Sequence, residues 1–349
     1  MSDDIHAEIR RTVDAMCSAA ADRAMDSADS SETFDELLWT ELSGTGFTLL
    51  GVPEQFGGSG GELDDLAVVV ETVARHTAPV PLTETAFLAG WLLSGAGLTV
   101  PGSAPLTTTS QVLTADPDGS SVSGTVTAGW ARYARHLVLP VDRAGELLIA
   151  VIPLGEPGDP SITPGANLAG EPRDTVIFDS YPLPQATAVA GCTQAAILAR
   201  GALARTVQLA GAAHAVLAMS LQHAGERVQF GRPLTKFQAI QQGLATLAAE
   251  ATRMHVSASA AVRAVQESAE GATLAVAAAK ATNSASASVV AALGHQIHGA
   301  LGFSREHRLG KATTRLWSWR DEFGDESAWQ DVLADLVLTA EAWWPALIR

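Results

Sequence analysis

The chain has 349 residues, of which 47% are hydrophobic and only 17% charged, a balance that excludes a disordered acidic tail. Its formal net charge of −16 excludes a general affinity for nucleic acid or for anionic membranes, because phosphates would be repelled. An anionic ligand must therefore be held by a few well-placed cations.

The first residues and the two cysteines bear on the compartment. Residues 1–10 lack the apolar core of a secretory signal. Cys17 and Cys192 lie far apart without metal-ligand spacing, which is typical of reduced thiols. The apolar stretches are alanine-rich and interrupted by polar residues, so none predicts a membrane span. We expect a cytoplasmic protein that binds neither membrane nor nucleic acid.

From residue 1 to about residue 97 the pattern is helical. Apolar side chains recur at helical spacing over 34–42 and again over 66–73. Between them lies the glycine-rich loop GVPEQFGGSGG (51–61). Such loops can hold phosphates, but the lysine and hydroxyl residue of a P-loop do not follow here. The favoured interpretation is a connection between helices.

From about residue 98 to residue 188 the composition changes to Thr, Val, Ser, Gly and Pro. Short apolar runs over 136–141, 147–154 and 175–179 alternate with turn residues. This pattern predicts a small antiparallel β-domain.

From about residue 189 the pattern is helical again. Two apolar stripes follow, over 203–221 and 237–247, and a very alanine-rich stretch covers 273–296. Small side chains let helices approach closely, as in a bundle. The sequence therefore predicts an α+β protein with an N-terminal α-helical domain (1–97), a middle β-domain (98–188) and a C-terminal helical bundle domain (189–349).

The segment ERVQFGRPLTKFQAIQQ (226–242) carries the clearest binding chemistry. Arg227 lies at a predicted junction of helix and loop, where a guanidinium can direct two parallel hydrogen bonds to a diphosphate. Gly299 and Gly302 flank a predicted turn, where missing side chains let backbone N–H groups approach a phosphate or ribose. Gln238 and Gln296 are neutral donors and acceptors suited to adenine or ribose.

Five segments, in the same order, resemble the acyl-CoA dehydrogenases. They are a helix and PE-x-x-GG loop (38–61), the β region that follows, an ER-x-x-FG helix motif (226–248), a Q-x-x-GG-x-G-[FY] turn (295–309) and the final active-site segment (315–324). The resemblance covers nearly the whole chain. It implies that family's fold with a C-terminal four-helix bundle, FAD as the cofactor, and α,β-desaturation of an acyl-CoA thioester.

In the resembled family, these positions of one subunit close over the FAD of its neighbour. The resemblance implies that nine residues contact FAD across a subunit interface: Arg227, Gln229, Phe230, Leu234, Phe237, Gln238, Gln296, His298 and Gly299. The alternative is that Phe230, Leu234 and Phe237 are core residues and that Arg227 pairs with Glu226.

The histidines predict no metal site. His214 lies on an apolar stripe and is expected in the core with its hydrogen bonds satisfied. His295, His298 and His307 do not share metal-ligand spacing on one helix face, so we expect no zinc there.

The family's catalytic carboxylate, which removes the α-proton while hydride passes to the flavin, has no clear counterpart. Counting back from the ER-x-x-FG motif places Gly201 at one of its two known positions. At the other position the chain reads DEFG (321–324), with Phe323 or Gly324 in place of the acid and Glu322 adjacent as a fallback base. The flavin-contacting T-E-P-x-A-G-S-D stretch is missing between residues 101 and 122.

Three hypotheses follow from the resemblance and its departures. In the first, the chain is the non-catalytic subunit of an α2β2 dehydrogenase, paired with a larger catalytic subunit, similar to enzymes of actinobacterial steroid side-chain breakdown. In the second, it is a self-sufficient homomeric acyl-CoA dehydrogenase with Glu322 as its base. In the third, it is a flavin-free structural or binding protein of the same fold. The acyl group and the electron acceptor are not predicted.

Overall fold

The protein is described by a computed structural model that covers residues 2–26, 34–184, 187–188, 192–269, 271–303 and 307–339. Within these ranges helices precede and follow a group of strands, as the sequence predicts. The helices are α1 (Ser2–Asp26), α2 (Glu36–Gly44), α3 (Leu63–Arg75), α4 (Trp91–Gly95), α5 (Gln194–Glu226), α6 (Gln238–Gln266), α7 (Ala272–His298), α8 (Arg308–Asp321) and α9 (Glu326–Thr339). The strands are β1 (Leu106–Thr108), β2 (Leu113–Thr114), β3 (Ser121–Gly129), β4 (His136–Arg143), β5 (Glu146–Pro153), β6 (Ser161–Thr163), β7 (Arg173–Pro182), β8 (Thr187–Ala188), β9 (Val228–Gln229) and β10 (Arg232–Pro233).

The described residues form two compact units. The first contains the residues up to Val69 and those of Pro79–Gly201, and the second contains Val70–Ala78 and the residues from Ala202 onward. The division of the sequence at residues 97 and 188 stays a prediction.

Two sheets form the β part of the first unit. Strands β1, β4, β5 and β8 lie side by side in that order, and β2 also pairs with β4, while β3, β7 and β6 form the second sheet. The expected antiparallel arrangement is only partly correct, because β1 and β2 run parallel to β4. Strand direction depends on where each connection returns, which a short apolar run does not encode.

The larger sheet is covered on both faces. One cluster of buried apolar residues joins it to the smaller sheet and includes Val126, Leu139 and Val176. A second cluster joins its Val138 and Ile149 to the π-helical segment Thr83–Gly90 and to α4. Because both faces are buried, β4 is a nearly continuous apolar run without the alternation of a half-exposed strand.

The second unit is a helical bundle with α7 at its centre. Helix α7 packs against α6, α8 and α9. Asn283 on α7 donates hydrogen bonds to the carbonyl oxygens of Thr206 on α5, at 3.1 Å, and Met254 on α6, at 3.0 Å. The small residues that α7 buries permit this close packing, which confirms the predicted bundle.

Helix α5 is, by length and composition alone, able to cross a membrane, although the sequence was not expected to contain a membrane span. However, 72% of its most apolar window is buried inside the protein, as is usual for the core helix of a folded domain.

Candidate functional site

A hairpin between α5 and α6 carries the first group of predicted site residues. Strands β9 and β10 pair antiparallel, with Gln229 opposite Arg232. Phe230 and Gly231 form the turn with φ values of 50° and 77°, the positive values that a tight two-residue hairpin turn requires. Phe230 is 92% exposed. The local sequence therefore holds an aromatic ring out in solvent.

The same hairpin concentrates positive charge on an otherwise acidic chain. Arg227, Arg232 and Lys236 are exposed within ten residues of one another, whereas the whole chain has a net charge of −16. With the Gln229 amide oriented to satisfy both groups, its oxygen accepts hydrogen bonds from the Arg227 guanidinium at 2.7 and 3.2 Å. The Arg232 guanidinium lies 4.2 Å from the centre of the Phe237 ring. The donor set suits an anionic ligand.

The C-terminal end of α7 carries the second group. Gln296 and Gly299 line an open groove of about 710 Å³ together with Ala292, His295 and Trp317 of the same unit. Gly299 has a φ of 61°, and a side chain there would meet nothing within 4 Å, so its backbone faces open space.

Gly302 is closely surrounded by neighbouring side chains. A Cβ atom at this position would lie 3.0 Å from Leu309 Cδ2 and 3.1 Å from His298 Cβ. Its missing side chain therefore serves packing within the chain. Contact of Gly299 or Gly302 with a phosphate stays a prediction.

The two groups lie at the same end of the bundle. The ring of His223, near the end of α5, stacks on that of His298 at 4.6 Å between centroids. A Cβ atom at Gly243, near the start of α6, would lie 3.9 Å from Ile297 Cδ1. Of the nine predicted residues, Arg227, Gln229, Phe230, Gln238, Gln296 and Gly299 are exposed, Leu234 and Phe237 are half-buried, and His298 is buried.

His298 is held within the chain. Its side chain is 5% exposed, and Nδ1 donates a hydrogen bond to the carbonyl oxygen of Gly294 at 2.8 Å. Burial lowers the pKa of His298, as it does that of the stacked His223. The buried His298 ring therefore packs next to the turn at Gly299. Its Nε2 has no hydrogen-bond partner among the described residues.

The segment that follows α8 contains Glu322, whose carboxylate already forms an ion pair. Glu322 Oε2 lies 2.7 Å from Arg205 Nε, and the side chains of Arg205 and Glu322 are 3% and 19% exposed. Arg205 also donates to the side-chain oxygen of Gln208. Phe323 and Gly324 follow with φ values of 56° and 91°, which end the helix. Gly201, the other position considered for the base, is a buried glycine in α5.

Sequence analysis missed the residues that fix this segment. Lys280 on α7 is fully buried, and its Nζ donates to the carbonyl oxygens of Arg320 at 2.6 Å and Gly324 at 2.7 Å. Burial lowers its pKa to about 7. Two features of the sequence could have indicated these buried charges: the single lysine of an alanine-rich helix, and an arginine, Arg205, within an apolar stripe.

Comparisons with known proteins agree with this architecture. Residues 3–97 match the family profile "Acyl-CoA dehydrogenase, N-terminal domain", and residues 192–319 match "Acyl-CoA dehydrogenase, C-terminal domain". Acyl-CoA dehydrogenase IpdE2 of Mycolicibacterium smegmatis is 30% identical over 308 residues, which cover 86% of this chain and 88% of that protein.

Two solved structures share the fold over nearly their whole length. The Tcur3481–Tcur3483 steroid ACAD superposes with a TM-score of 0.85 at 25% identity and covers 97% of this chain and 99% of the other. The ChsE4–ChsE5 complex from Mycobacterium tuberculosis gives 0.84 at 21% identity, with 97% and 98% covered. Together with the matched domains, these similarities lead to one conclusion: the chain belongs to the acyl-CoA dehydrogenase family.

Proposed function

We propose that the chain is a subunit of an FAD-dependent acyl-CoA dehydrogenase, to which it contributes FAD-binding residues across a subunit interface without a catalytic base of its own. The hairpin at Phe230 is the observation that carries this proposal. A phenylalanine that is 92% exposed, beside two exposed arginines, is poorly suited to the surface of an isolated acidic chain. It is well suited to cover a flat, anionic cofactor on a neighbouring subunit.

The residues present fit FAD by their chemistry. Arg227 can direct a forked pair of hydrogen bonds to the diphosphate after releasing the Gln229 amide. Gln296 and the open backbone at Gly299 offer polar groups to the adenosine part, and Phe230 excludes water from the face that it covers. When bound, FAD would accept the hydride from the β-carbon of the acyl-CoA.

The absence of a free carboxylate at the two family positions supports a non-catalytic role. Gly201 has no side chain. Glu322 is held at 2.7 Å by a buried guanidinium, so its oxygen is engaged in an ion pair and not directed to a substrate. This observation disfavours the self-sufficient homomer with Glu322 as base. The larger catalytic subunit would supply the acid that removes the α-proton.

The relatives support a two-protein assembly and a substrate class. Two of the matched structures are named for pairs of proteins, and one of them is named a steroid ACAD. We therefore propose an α2β2 heteromer of this chain with a larger acyl-CoA dehydrogenase subunit. Its substrate would be an acyl-CoA thioester such as a steroid side-chain ester.

Flavin counting tests the proposal. The chain would be purified alone and after co-expression with a larger acyl-CoA dehydrogenase subunit from the same host, and FAD per chain measured by absorbance after release. We expect a colourless chain alone and a yellow complex with less than one FAD per polypeptide. A homomer with one FAD per chain and full activity would contradict the proposal.

Substitutions at the hairpin locate the contact. Arg227→Lys keeps the charge but loses the fork, so we expect at least a tenfold weaker FAD affinity, or about 1.4 kcal/mol. The control is Arg263→Lys, since Arg263 is also exposed but lies at the far end of α6, and this variant should retain FAD. Equal retention of FAD by both variants would remove Arg227 from the site.

For the homomer alternative, Glu322→Gln should abolish exchange of the substrate α-proton. An unchanged exchange rate would exclude Glu322 as the base.

A further inference from the structure

Within the second unit, residues from three helices bring a carboxylate and two imidazoles together. Glu71 lies on α3, His214 on α5 and His255 on α6. Glu71 Oε1 is 3.2 Å from His214 Nδ1 and 2.9 Å from His255 Nδ1. The three ligand atoms all lie within 4.8 Å of one another. His214 is therefore not a core histidine, as its place on an apolar stripe predicted, but part of a polar cluster.

The cluster depends on an unusually close approach of two helices. A Cβ atom at Gly211 on α5 would lie 2.3 Å from the carbonyl oxygen of Glu71 and 2.9 Å from Ala74 Cβ. Glycine is thus required for α3 to lie against α5 at this point. His214 follows Gly211 by three residues, on the same face of α5, and so meets the Glu71 side chain.

Two of the three distances between the ligand atoms are close to those around a tetrahedral metal ion. Zinc binds imidazole nitrogen and carboxylate oxygen at about 2.0–2.2 Å, which places two ligands of a tetrahedron about 3.3 Å apart. The two separations from Glu71, 2.9 and 3.2 Å, lie within about 0.4 Å of that spacing, and the two imidazole nitrogens lie within 4.8 Å of each other. A donor set of two imidazoles and one carboxylate favours the binding of zinc over that of magnesium or calcium.

The three side chains are partly open to solvent. The side chains of Glu71, His214 and His255 are 16%, 31% and 36% exposed. The Glu71 carboxylate already faces the Nδ1 atoms of both imidazoles at hydrogen-bond distance.

We propose that Glu71, His214 and His255 bind one divalent transition metal ion of the Zn²⁺ class, with water as the fourth ligand. On binding, each imidazole carries its proton on Nε2 and offers its Nδ1 lone pair to the ion. The ion joins the Val70–Ala78 segment to α5 and α6. The sequence predicted no metal, because spacing along a single helix cannot reveal ligands that come from three.

Metal titration tests the site independently of FAD. The full chain, in whichever assembly it is purified, would be treated with EDTA, and ZnCl₂ added in a calorimeter. CoCl₂ would be added separately while the visible d–d bands of tetrahedral Co²⁺ are recorded. We expect one equivalent of metal per copy of this chain and a metal-dependent rise in Tm. An absence of saturable Zn²⁺ binding in the wild type would overturn the proposal without bearing on the proposed function.

Variants assign the binding to these residues. Glu71→Gln, His214→Ala and His255→Ala should each weaken Zn²⁺ binding by more than about 100-fold, since loss of even an outer hydrogen-bond partner of a ligand costs about 10–100-fold. The control is His6→Ala, because His6 lies 3.1 Å from Asp65 in a separate histidine–acid cluster of the first unit. Binding lost only in His6→Ala, or kept in all four variants, would refute the assignment. The two histidine variants alter half-exposed side chains, so they should fold even if Glu71→Gln does not.

Discussion

The buried Lys280 provides the sharpest test of the bundle's electrostatics. Its side chain has no exposed surface, and burial lowers its pKa from 10.5 to about 7. One pKa unit corresponds to about 1.4 kcal/mol, so this displacement amounts to about 5 kcal/mol of unfavourable free energy when the amine is charged in the folded state. The change to examine is Lys280→Met, which keeps an unbranched side chain one atom shorter and removes the titrating amine.

The sign of the pH dependence follows from the two pKa values. Between pH 7 and 10.5 the unfolded lysine is protonated and the folded one is not, so the unfolded state binds more protons. Stability from this group is therefore fully present above 10.5 and is lost as the pH falls through about 7. The free energy of unfolding of the wild type should rise by about 1.4 kcal/mol per pH unit within the window.

The assay is urea unfolding, followed by tryptophan fluorescence, at a series of pH values between about 7.5 and 9.5. Over these two units we expect the wild type to gain about 3 kcal/mol relative to Lys280→Met, because every other titrating group is common to both proteins. Two stability profiles whose slopes differ by less than about 0.5 kcal/mol per pH unit would refute the reasoning. They would show that Lys280 keeps its proton when folded, held by the carbonyl oxygens of Arg320 and Gly324.

Three further predictions concern single contacts. Arg205→Met removes the guanidinium that pairs with Glu322 and should lower the free energy of unfolding by about 3 kcal/mol, while adding Glu322→Gln should recover part of this loss; equal single and double variants would argue against the pair. Gly211→Ala forces a methyl group against a backbone oxygen and should destabilise by about 1–3 kcal/mol, whereas Gly243→Ala, which meets only one atom at 3.9 Å, should stabilise by about 0.5–1 kcal/mol. Both can be measured as shifts in denaturation midpoint, and the same sign for both would contradict the packing described. Phe230→Ala should change stability by less than about 0.5 kcal/mol because the ring is 92% exposed, yet it should reduce FAD content of the assembly.

The sequence alone was sufficient where structure is set by neighbours along the chain. The apolar stripes predicted the helices of the bundle, and the alanine-rich stretch predicted its central helix α7. The sequence predicted a junction of helix and loop near Arg227, whereas the exposed hairpin at Phe230-Gly231 became visible only from the dihedral angles of the structure. The motif at 226–242 likewise indicated the family that the domain comparisons then established.

Only the tertiary structure decided which distant side chains meet. Arg205 and Glu322 are 117 residues apart, and Glu71 lies 184 residues from His255. Periodicity tells which face of a helix is buried, but not which residue of another helix lies opposite, because that depends on crossing angles and on close approaches such as the one at Gly211. For the same reason the sequence could offer Glu322 as a base, while the fold placed a buried guanidinium against it.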